Sequence, residues 1–221
     1  MTETDPCQEE REEMVEFQVR ARGVRDQRVL AAMRRVPRHL FVPKGLERAA
    51  YEDRPLPIGK DQTISQPYIV AVMTEQLELT PHDRVLEVGT GSGYQAALLA
   101  DLAGTVISVE RLQDLADSAR ENLARAGIAG VRVIVGDGTK GYPPEAPYDA
   151  IVVTAASPDV PQPLIDQLAE GGRLVAPIGA RDCQSLIKLV KRGGRVEEIP
   201  LGGVCFVPLI GQFGWREEGS L

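Results

Sequence analysis

The chain has 221 residues, of which 43% are apolar, and it carries a formal net charge of −7. Its apolar runs are far shorter than the roughly 20 residues that a membrane-spanning helix needs. Its first ten residues lack the basic and apolar regions of a secretory signal. The acidic balance disfavours nucleic acid as a partner. We therefore expect no membrane and no nucleic-acid partner.

The cysteine and histidine content argues against a metal site and against disulfides. Cys7, Cys183 and Cys205 are odd in number, widely separated and without CxxC spacing, and the histidines are His39 and His82. This composition predicts reduced thiols in a cytoplasmic protein and no protein-built metal site.

Basic residues are concentrated between positions 17 and 50, where nine arginines and lysines oppose Asp26 and Glu47, a local charge of +7. Such a region is either the solvated face of surface helices or a docking surface for an anionic substrate. Both interpretations stay open at the level of sequence.

The N-terminal third is predicted to be mostly helical. Residues 8–36 show helical spacing that is interrupted at Gly23 and ends before Pro37. A second helical pattern begins at Pro67 and runs to about Leu79, and Thr63 with Gln66 suggests a capping box before it.

From Arg84 onward, strands and helices alternate. This pattern predicts strands at residues 85–88, 105–110, 131–135, 150–154 and 173–178, with helices at 94–102, 112–126 and 161–170. Parallel strands need such crossover helices. After Gly179, strands at 185–191, 195–201 and 205–209 are joined by Gly-Gly turns, which predicts antiparallel pairing.

The predicted fold is therefore α/β: a doubly wound, Rossmann-like, mostly parallel sheet with N-terminal helices and a C-terminal antiparallel extension. We expect a single domain over residues 1–221. It comprises an N-terminal helical and substrate-side segment (1–80), a cofactor-binding core (81–180) and the antiparallel extension (181–221).

A glycine-rich turn and three acidic residues mark the carboxyl ends of the first three core strands. The Gly89-Thr-Gly-Ser-Gly93 sequence follows the first strand, and Glu87 lies two residues before it. Glu110 ends the second strand, where it can accept hydrogen bonds from a ribose diol, and Asp137 follows the third, where it can meet an adenine amino group. Open sheets bind ligands at this edge, so a nucleotide-like cofactor is predicted.

Two features of the sequence indicate the class of cofactor and restrict the chemical class of the methyl acceptor. Tyr94 occupies the position of the third glycine in the dinucleotide fingerprint, and the arrangement instead resembles class I methyltransferases, which bind S-adenosylmethionine. Methyltransferases of base amines share an Asn/Asp-Pro-Pro-aromatic sequence after the fourth strand, but this chain reads Thr154-Ala-Ala-Ser-Pro158 there. These differences favour an acceptor that is already anionic.

The segment Asp61-Gln-Thr-Ile-Ser-Gln-Pro-Tyr68 resembles the signature of protein-L-isoaspartate O-methyltransferases, and Pro37-Arg-His-Leu-Phe-Val-Pro43 and Phe206-Val-Pro-Leu209 fit that family too. One departure is Ile210, where some members have a threonine. The resemblance implies that Ser65 is the catalytic serine. It implies cofactor contacts at Ile64, Ser65, Glu87, Gly89, Thr90, Gly91, Gly93, Glu110, Arg111, Asp137 and Gly138.

The resemblance implies methyl esterification of the free α-carboxylate of L-isoaspartyl residues in damaged proteins and peptides, with S-adenosylmethionine as methyl donor and no metal. The ester then cyclises to a succinimide, which reopens in part to aspartate. We expect a monomer. Two alternatives remain: a methyltransferase of the same fold with another carboxylate or a hydroxyl as acceptor, and a noncatalytic cofactor-binding module that docks a protein through its basic helices.

Overall fold

The computed structural model describes residues 7–217. The N-terminal helices lie where they were predicted. Residues 8–22 are one continuous helical segment that ends at Gly23, which has a left-handed φ of +110°. This segment consists of α1 (Gln8–Glu13), a π-helical stretch (Met14–Val19) and a 3-10 turn (Arg20–Arg22). Helix α2 (Gln27–Arg35) follows, and the Asp26 side chain caps it by accepting from two backbone N–H groups.

A two-stranded hairpin precedes the next helix. Strand β1 (Leu56–Gly59) pairs antiparallel with β2 (Gln62–Ile64), and helix α3 (Pro67–Gln76) begins after it. The predicted capping box is wrong, because Gln66 is the N-cap residue and makes no side-chain cap bond. Thr63 is instead part of β2, and hairpin pairing takes it away from the helix start.

The core is a seven-stranded sheet in the order β5-β4-β3-β6-β7-β8-β9. Strands β3 to β7 are parallel, and β8 and β9 are antiparallel, so the predicted fold class is confirmed. The elements are β3 (Arg84–Val88), α4 (Tyr94–Leu102), β4 (Thr105–Glu110), α5 (Gln113–Arg125), β5 (Val131–Val135), β6 (Tyr148–Val153), α6 (Gln162–Gln167), β7 (Leu168–Gly179), β8 (Gln184–Arg192) and β9 (Arg195–Val204).

Apolar side chains cover both faces of the sheet, as expected for buried parallel strands. Successive residues Val85 and Leu86 of β3 enter two different hydrophobic clusters. The cluster that contains Val85 also contains residues of the π-helical stretch and of α2 to α5, whereas that of Leu86 contains Leu164 of α6. Since Glu87 follows Leu86, its side chain lies on the face that the N-terminal helices cover.

Three predictions near the C-terminus are wrong: the end of the helix at 161–170, the Gly202-Gly203 turn and the strand at 205–209. Helix α6 ends at Gln167 rather than Glu170, because Leu168 pairs with Tyr148 and β7 begins there. The Gly202-Gly203 turn does not form: β9 continues to Val204 through a bulge at Leu201. Gly202 has a φ of +132°, so the glycine serves the bulge and not a turn. Residues 205–209 form only an isolated bridge, from Pro208 to Ala156.

Most of the basic N-terminal side chains have partners within the molecule. Arg28 donates to the carbonyls of Leu79 and Leu102, and Arg35 forms an ion pair with Asp101. Arg22 pairs with Asp53, and its guanidinium carbon lies 3.6 Å from the centroid of the Tyr68 ring. Many of the side chains that give this region its local charge of +7 are therefore engaged within the molecule. In the range 7–217, no helix is long and apolar enough to cross a membrane.

Candidate active site

A cavity lies at the carboxyl ends of β3 and β4, beside the residues that follow β6. Its lining includes Val88, Val109 and Glu110 from the strand ends and Thr154 after β6. Strand β3 lies between β4 and β6, so the order of the strands reverses at β3: β4 and β5 lie on one side of it, and β6 and β7 on the other. Open α/β sheets bind their ligands at such a switch point.

The glycine loop forms one wall of the cavity. Gly89, Gly91 and Gly93 have φ values of +96°, +52° and +88°, which side chains rarely adopt. A Cβ on Gly89 would overlap Thr154 Oγ1, because the Thr154 hydroxyl donates to the Gly89 carbonyl at 2.6 Å. The loop therefore needs glycine at position 89 both for its backbone angle and for its close approach to Thr154.

Glu110 connects this loop to the end of β4. Its Oε2 accepts the Gly91 N–H at 2.9 Å, and its Oε1 accepts the Leu112 N–H at 3.0 Å. Each carboxylate oxygen has a second acceptor site. The side chain is therefore held rigidly at the cavity and can still accept hydrogen bonds from a diol. Arg111, which also lines the cavity, forms an ion pair with Glu217.

The β2 strand and Ser65, the residue that follows it, form another part of the cavity wall. Gln62, Thr63, Ile64 and Ser65 all line the cavity. Ile64 is buried and Ser65 is half-buried. The Ser65 carbonyl accepts from Arg38 Nη2 at 2.8 Å, and the Ser65 hydroxyl forms no hydrogen bond with any of residues 7–217. The hydroxyl is thus available to an incoming group.

Glu87 is fully buried and is not among the described residues that line the cavity. The Ser108 hydroxyl donates to its Oε2, and the Ser108 and Thr90 hydroxyls are hydrogen-bonded at 2.5 Å. Burial, opposed by the Ser108 hydrogen bond and assisted by the nearby Glu110 charge, raises the pKa of the Glu87 carboxyl to about 8. Glu87 is therefore a neutral acid at pH 7, and it contacts the glycine loop indirectly, through Ser108 and Thr90.

This raised pKa predicts a pH-dependent stability penalty. Between the ordinary pKa of 4.5 and about 8, the folded state binds a proton at Glu87 that the unfolded chain has lost. The free energy of unfolding therefore falls as pH rises through this window, and the penalty is constant above it. In Glu87→Gln that penalty is absent. We expect the stability of this variant relative to the parent to grow by about 2–3 kcal/mol from pH 6 to pH 9.

Urea unfolding at several pH values measures this difference. Glu121→Gln on the exposed side of α5 is the matched control, and it should show no such trend. A Glu87→Gln difference that is the same at pH 6 and pH 9 would show that Glu87 does not titrate in this window.

The structure places Asp137 against the C-terminal segment. Its Oδ1 accepts from the Thr139 N–H and hydroxyl, and its Oδ2 accepts the Gln212 N–H at 3.0 Å. These bonds and the nearby Lys140 charge keep the pKa of the Asp137 carboxyl below its usual value, although partial burial opposes them. Gly138 lines the cavity and Asp137 does not. In this arrangement Asp137 orders the segment that brings Ile210 to the cavity.

Comparison with known proteins identifies the family. The model of the protein-L-isoaspartate(D-aspartate) O-methyltransferase family (PCMT) matches residues 9–214. The chain belongs to this family. A protein-L-isoaspartate O-methyltransferase of Methanoculleus marisnigri is 79% identical over 218 residues, which cover 99% of each chain.

Solved structures of PCMT proteins have the same fold. A structure named protein-L-isoaspartate O-methyltransferase is 31% identical, with a TM-score of 0.83, over 92% of this chain and 67% of that one. A putative PCMT from Plasmodium falciparum, in complex with S-adenosyl-L-homocysteine, is 29% identical, with a TM-score of 0.79, over 90% of this chain and 98% of that one.

The PCMT family uses S-adenosylmethionine to methylate isoaspartyl residues in protein repair, as the motifs predict. The site fits such a cofactor. The glycines of the loop have no side chains to occupy the cavity, and Glu110 is fixed beside the loop by its hydrogen bond from the Gly91 N–H. Within residues 7–217, no group of three or more His, Cys, Asp and Glu side chains could hold a metal ion.

Sequence reasoning missed three contributors to the PCMT site. The Thr154 hydroxyl donates to the Gly89 carbonyl of the glycine loop, and only its position after the fourth core strand could have marked it in the sequence. Gln62 lines the cavity because β1 and β2 form a hairpin, which the pattern did not reveal. Arg38 contacts the Ser65 carbonyl, and only its place in the Pro37–Pro43 motif marked it.

Proposed function

We propose that this site esterifies the free α-carboxylate of L-isoaspartyl residues in damaged proteins and peptides, with Ser65 as the catalytic residue. One observation carries the proposal: the glycine loop and the Thr63–Ser65 segment line the same cavity. The motif that indicates a methyl donor and the motif that indicates the acceptor therefore lie at the same cavity.

The proposed cofactor contacts are shared among several elements. S-adenosylmethionine supplies a methyl group on a sulfonium sulfur when it is bound. Glu110 would accept hydrogen bonds from its ribose, and the glycine loop would accommodate its amino-acid part. Glu87 and Asp137 would act through the loop and the C-terminal segment that they order. The full set proposed is Ile64, Ser65, Glu87, Gly89, Thr90, Gly91, Gly93, Glu110, Arg111, Asp137 and Gly138.

The acceptor needs orientation more than activation. A carboxylate is ionised at neutral pH, so no base has to remove a proton from it. The described residues of the cavity lining include no histidine and no lysine. The Ser65 hydroxyl would donate to one carboxylate oxygen and direct the acceptor toward the methyl group. The apolar side chains of Val70, Met73 and Leu209 would exclude water from the reacting groups.

A paired-peptide assay tests this function. Two peptides that differ only in Asp or isoAsp at one position are incubated with the protein and S-adenosylmethionine labelled in its methyl group. We expect label on the isoAsp peptide alone, and we expect base to release it, as a methyl ester requires. Label on another carboxylate or a hydroxyl would favour the first alternative acceptor, and tight cofactor binding without label would favour the noncatalytic module.

We further propose that residues 1–221 form one cytoplasmic, monomeric domain that acts on proteins and peptides without a nucleic-acid or membrane partner. One hydrophobic cluster runs from Met14 to Leu186 and joins the N-terminal segment to the core, which supports a single domain. The free thiols of Cys183 and Cys205 are compatible with a reducing compartment. The net charge of −7 disfavours nucleic acid.

A further inference from the structure

Arg38 lies beneath the candidate site with its whole side chain buried. It begins the 3-10 turn Arg38–Phe41, and none of its surface is exposed. Its Nε donates to the Ala50 carbonyl at 2.6 Å, and its Nη2 donates to the Ser65 carbonyl at 2.8 Å. Its guanidinium carbon is 4.9 Å from the centroid of the Tyr94 ring.

No carboxylate among the described residues neutralises the charge of Arg38. Burial lowers the pKa of the guanidinium to about 10, so it stays protonated at pH 7. No ion pair among residues 7–217 includes Arg38, and its Nη1 has no hydrogen-bond partner there. Burying a charge in this way is costly, and an apolar side chain of similar volume is often as stable or more so. Packing alone therefore does not account for an arginine at this position.

Arg38 contacts both walls of the cavity. Ser65 is the proposed acceptor-side residue, and Tyr94 is the first residue of α4, directly after the glycine loop. Both line the cavity. Methyl transfer is an in-line displacement, whose rate depends on the alignment of donor and acceptor. A rigid planar group between the two walls can set that alignment, since its N–H groups point in fixed directions.

We propose that Arg38 is a positioning residue for the methyl transfer: it fixes the Ser65 backbone, and so the Ser65 hydroxyl, relative to the wall that begins at Tyr94. Its uncompensated charge beside Ser65 also favours an anionic acceptor. This inference rests on the proposed function, because it assumes that Ser65 orients the isoaspartyl carboxylate.

Two replacements separate the geometry of Arg38 from its charge. Arg38→Met removes both, whereas Arg38→Lys keeps the charge but loses the planar fork that reaches two carbonyls. Arg28→Met is the matched control, because Arg28 also donates to two carbonyls, of Leu79 and Leu102, but lies outside the cavity. The measurements are kcat and KM with an isoaspartyl peptide, the Kd of S-adenosyl-L-homocysteine, and thermal unfolding.

At a temperature where all variants are folded, we expect Arg38→Met to lower kcat about 100-fold and to raise KM for the peptide. Arg38→Lys should lower kcat about 10-fold with KM near the parent value. The Kd of S-adenosyl-L-homocysteine should change less than about threefold in both. Arg28→Met should lower the unfolding temperature and leave kcat within about twofold of the parent.

Three results would overturn the proposal. The first is folded Arg38 variants with kcat within about twofold of the parent, and the second is a loss of kcat in Arg28→Met equal to that in Arg38→Met. The third is failure of both Arg38 variants to fold, which would assign Arg38 to stability alone. The proposed function fails separately, if the parent protein does not label the isoaspartyl peptide. A parent that is active and depends on Ser65, together with normal Arg38 variants, would contradict only the role of Arg38.

Discussion

Ser65→Ala is expected to lower kcat on an isoaspartyl peptide about 100-fold, the loss that a misplaced reacting group can cause. The Ser65 hydroxyl forms no hydrogen bond with the rest of the described chain, and removing it leaves the fold without a missing partner. The variant should therefore keep the unfolding temperature of the parent. The Kd of S-adenosyl-L-homocysteine should stay within about threefold, since the glycine loop and Glu110 are untouched.

Ser65→Thr and Ser118→Ala are the matched controls for this experiment. Ser65→Thr keeps a hydroxyl and should retain more turnover than Ser65→Ala. Ser118 lies exposed on α5, and its hydroxyl donates to the Asp114 carbonyl, so its replacement should leave kcat unchanged. Unchanged turnover in Ser65→Ala would exclude Ser65 as the catalytic residue, whatever the controls show.

Gly89→Ala is expected to weaken the binding of S-adenosyl-L-homocysteine about 100-fold or more. Residue 89 has a φ of +96°, which costs a side-chain residue on the order of 1–2 kcal/mol. The new Cβ would also overlap Thr154 Oγ1, which donates to the carbonyl of the same residue. Relief requires a shift of the loop, and this shift would also disturb the hydrogen bond between Gly91 and Glu110.

A double-mutant cycle tests the cause of this loss. In Gly89→Ala with Thr154→Ala the overlapping oxygen is absent, so part of the cofactor affinity should return relative to Gly89→Ala alone. Gly127→Ala is the control for backbone strain, because Gly127 has a φ of +69° with no atom near a new Cβ. It should lower stability without changing the Kd. Isothermal titration calorimetry gives each Kd, and equal affinity for parent and Gly89→Ala would contradict the prediction.

The periodicity of the core made much of the fold predictable. Strands 105–110 and 131–135 and helix 94–102 were placed at the residues that the structure shows. Parallel strands are buried on both faces and separated by helices, so each appears as a short apolar run next to a helical pattern. The predictions failed where pairing partners decide the structure, as at Leu168, which joins the sheet through Tyr148.

The candidate site likewise has residues whose position the sequence predicted and residues whose contacts it did not. Gly89, Thr90, Gly91, Glu110 and Ser65 are marked by their positions in local motifs, and the structure brings all of them to one cavity, whereas Gly93 of the same loop does not line it. Glu87 and Asp137 belong to the same motifs, yet their carboxyl groups bond to Ser108 and to the Gln212 backbone instead of lining that cavity. A motif shows that an acid stands at a strand end, but not which neighbour it meets there.

The sequence by itself determined the fold class, the family and the two motifs that define donor and acceptor, because each depends on local spacing along the chain. Only the tertiary structure decided what packs against these motifs. Arg38 and Thr154 meet Ser65 and Gly89 across 27 and 65 positions of the chain, respectively. Burial and hydrogen-bond pairing at such separations depend on the whole sheet and its helices, so the environment of the glycine loop and of Ser65 emerges only when the chain is folded.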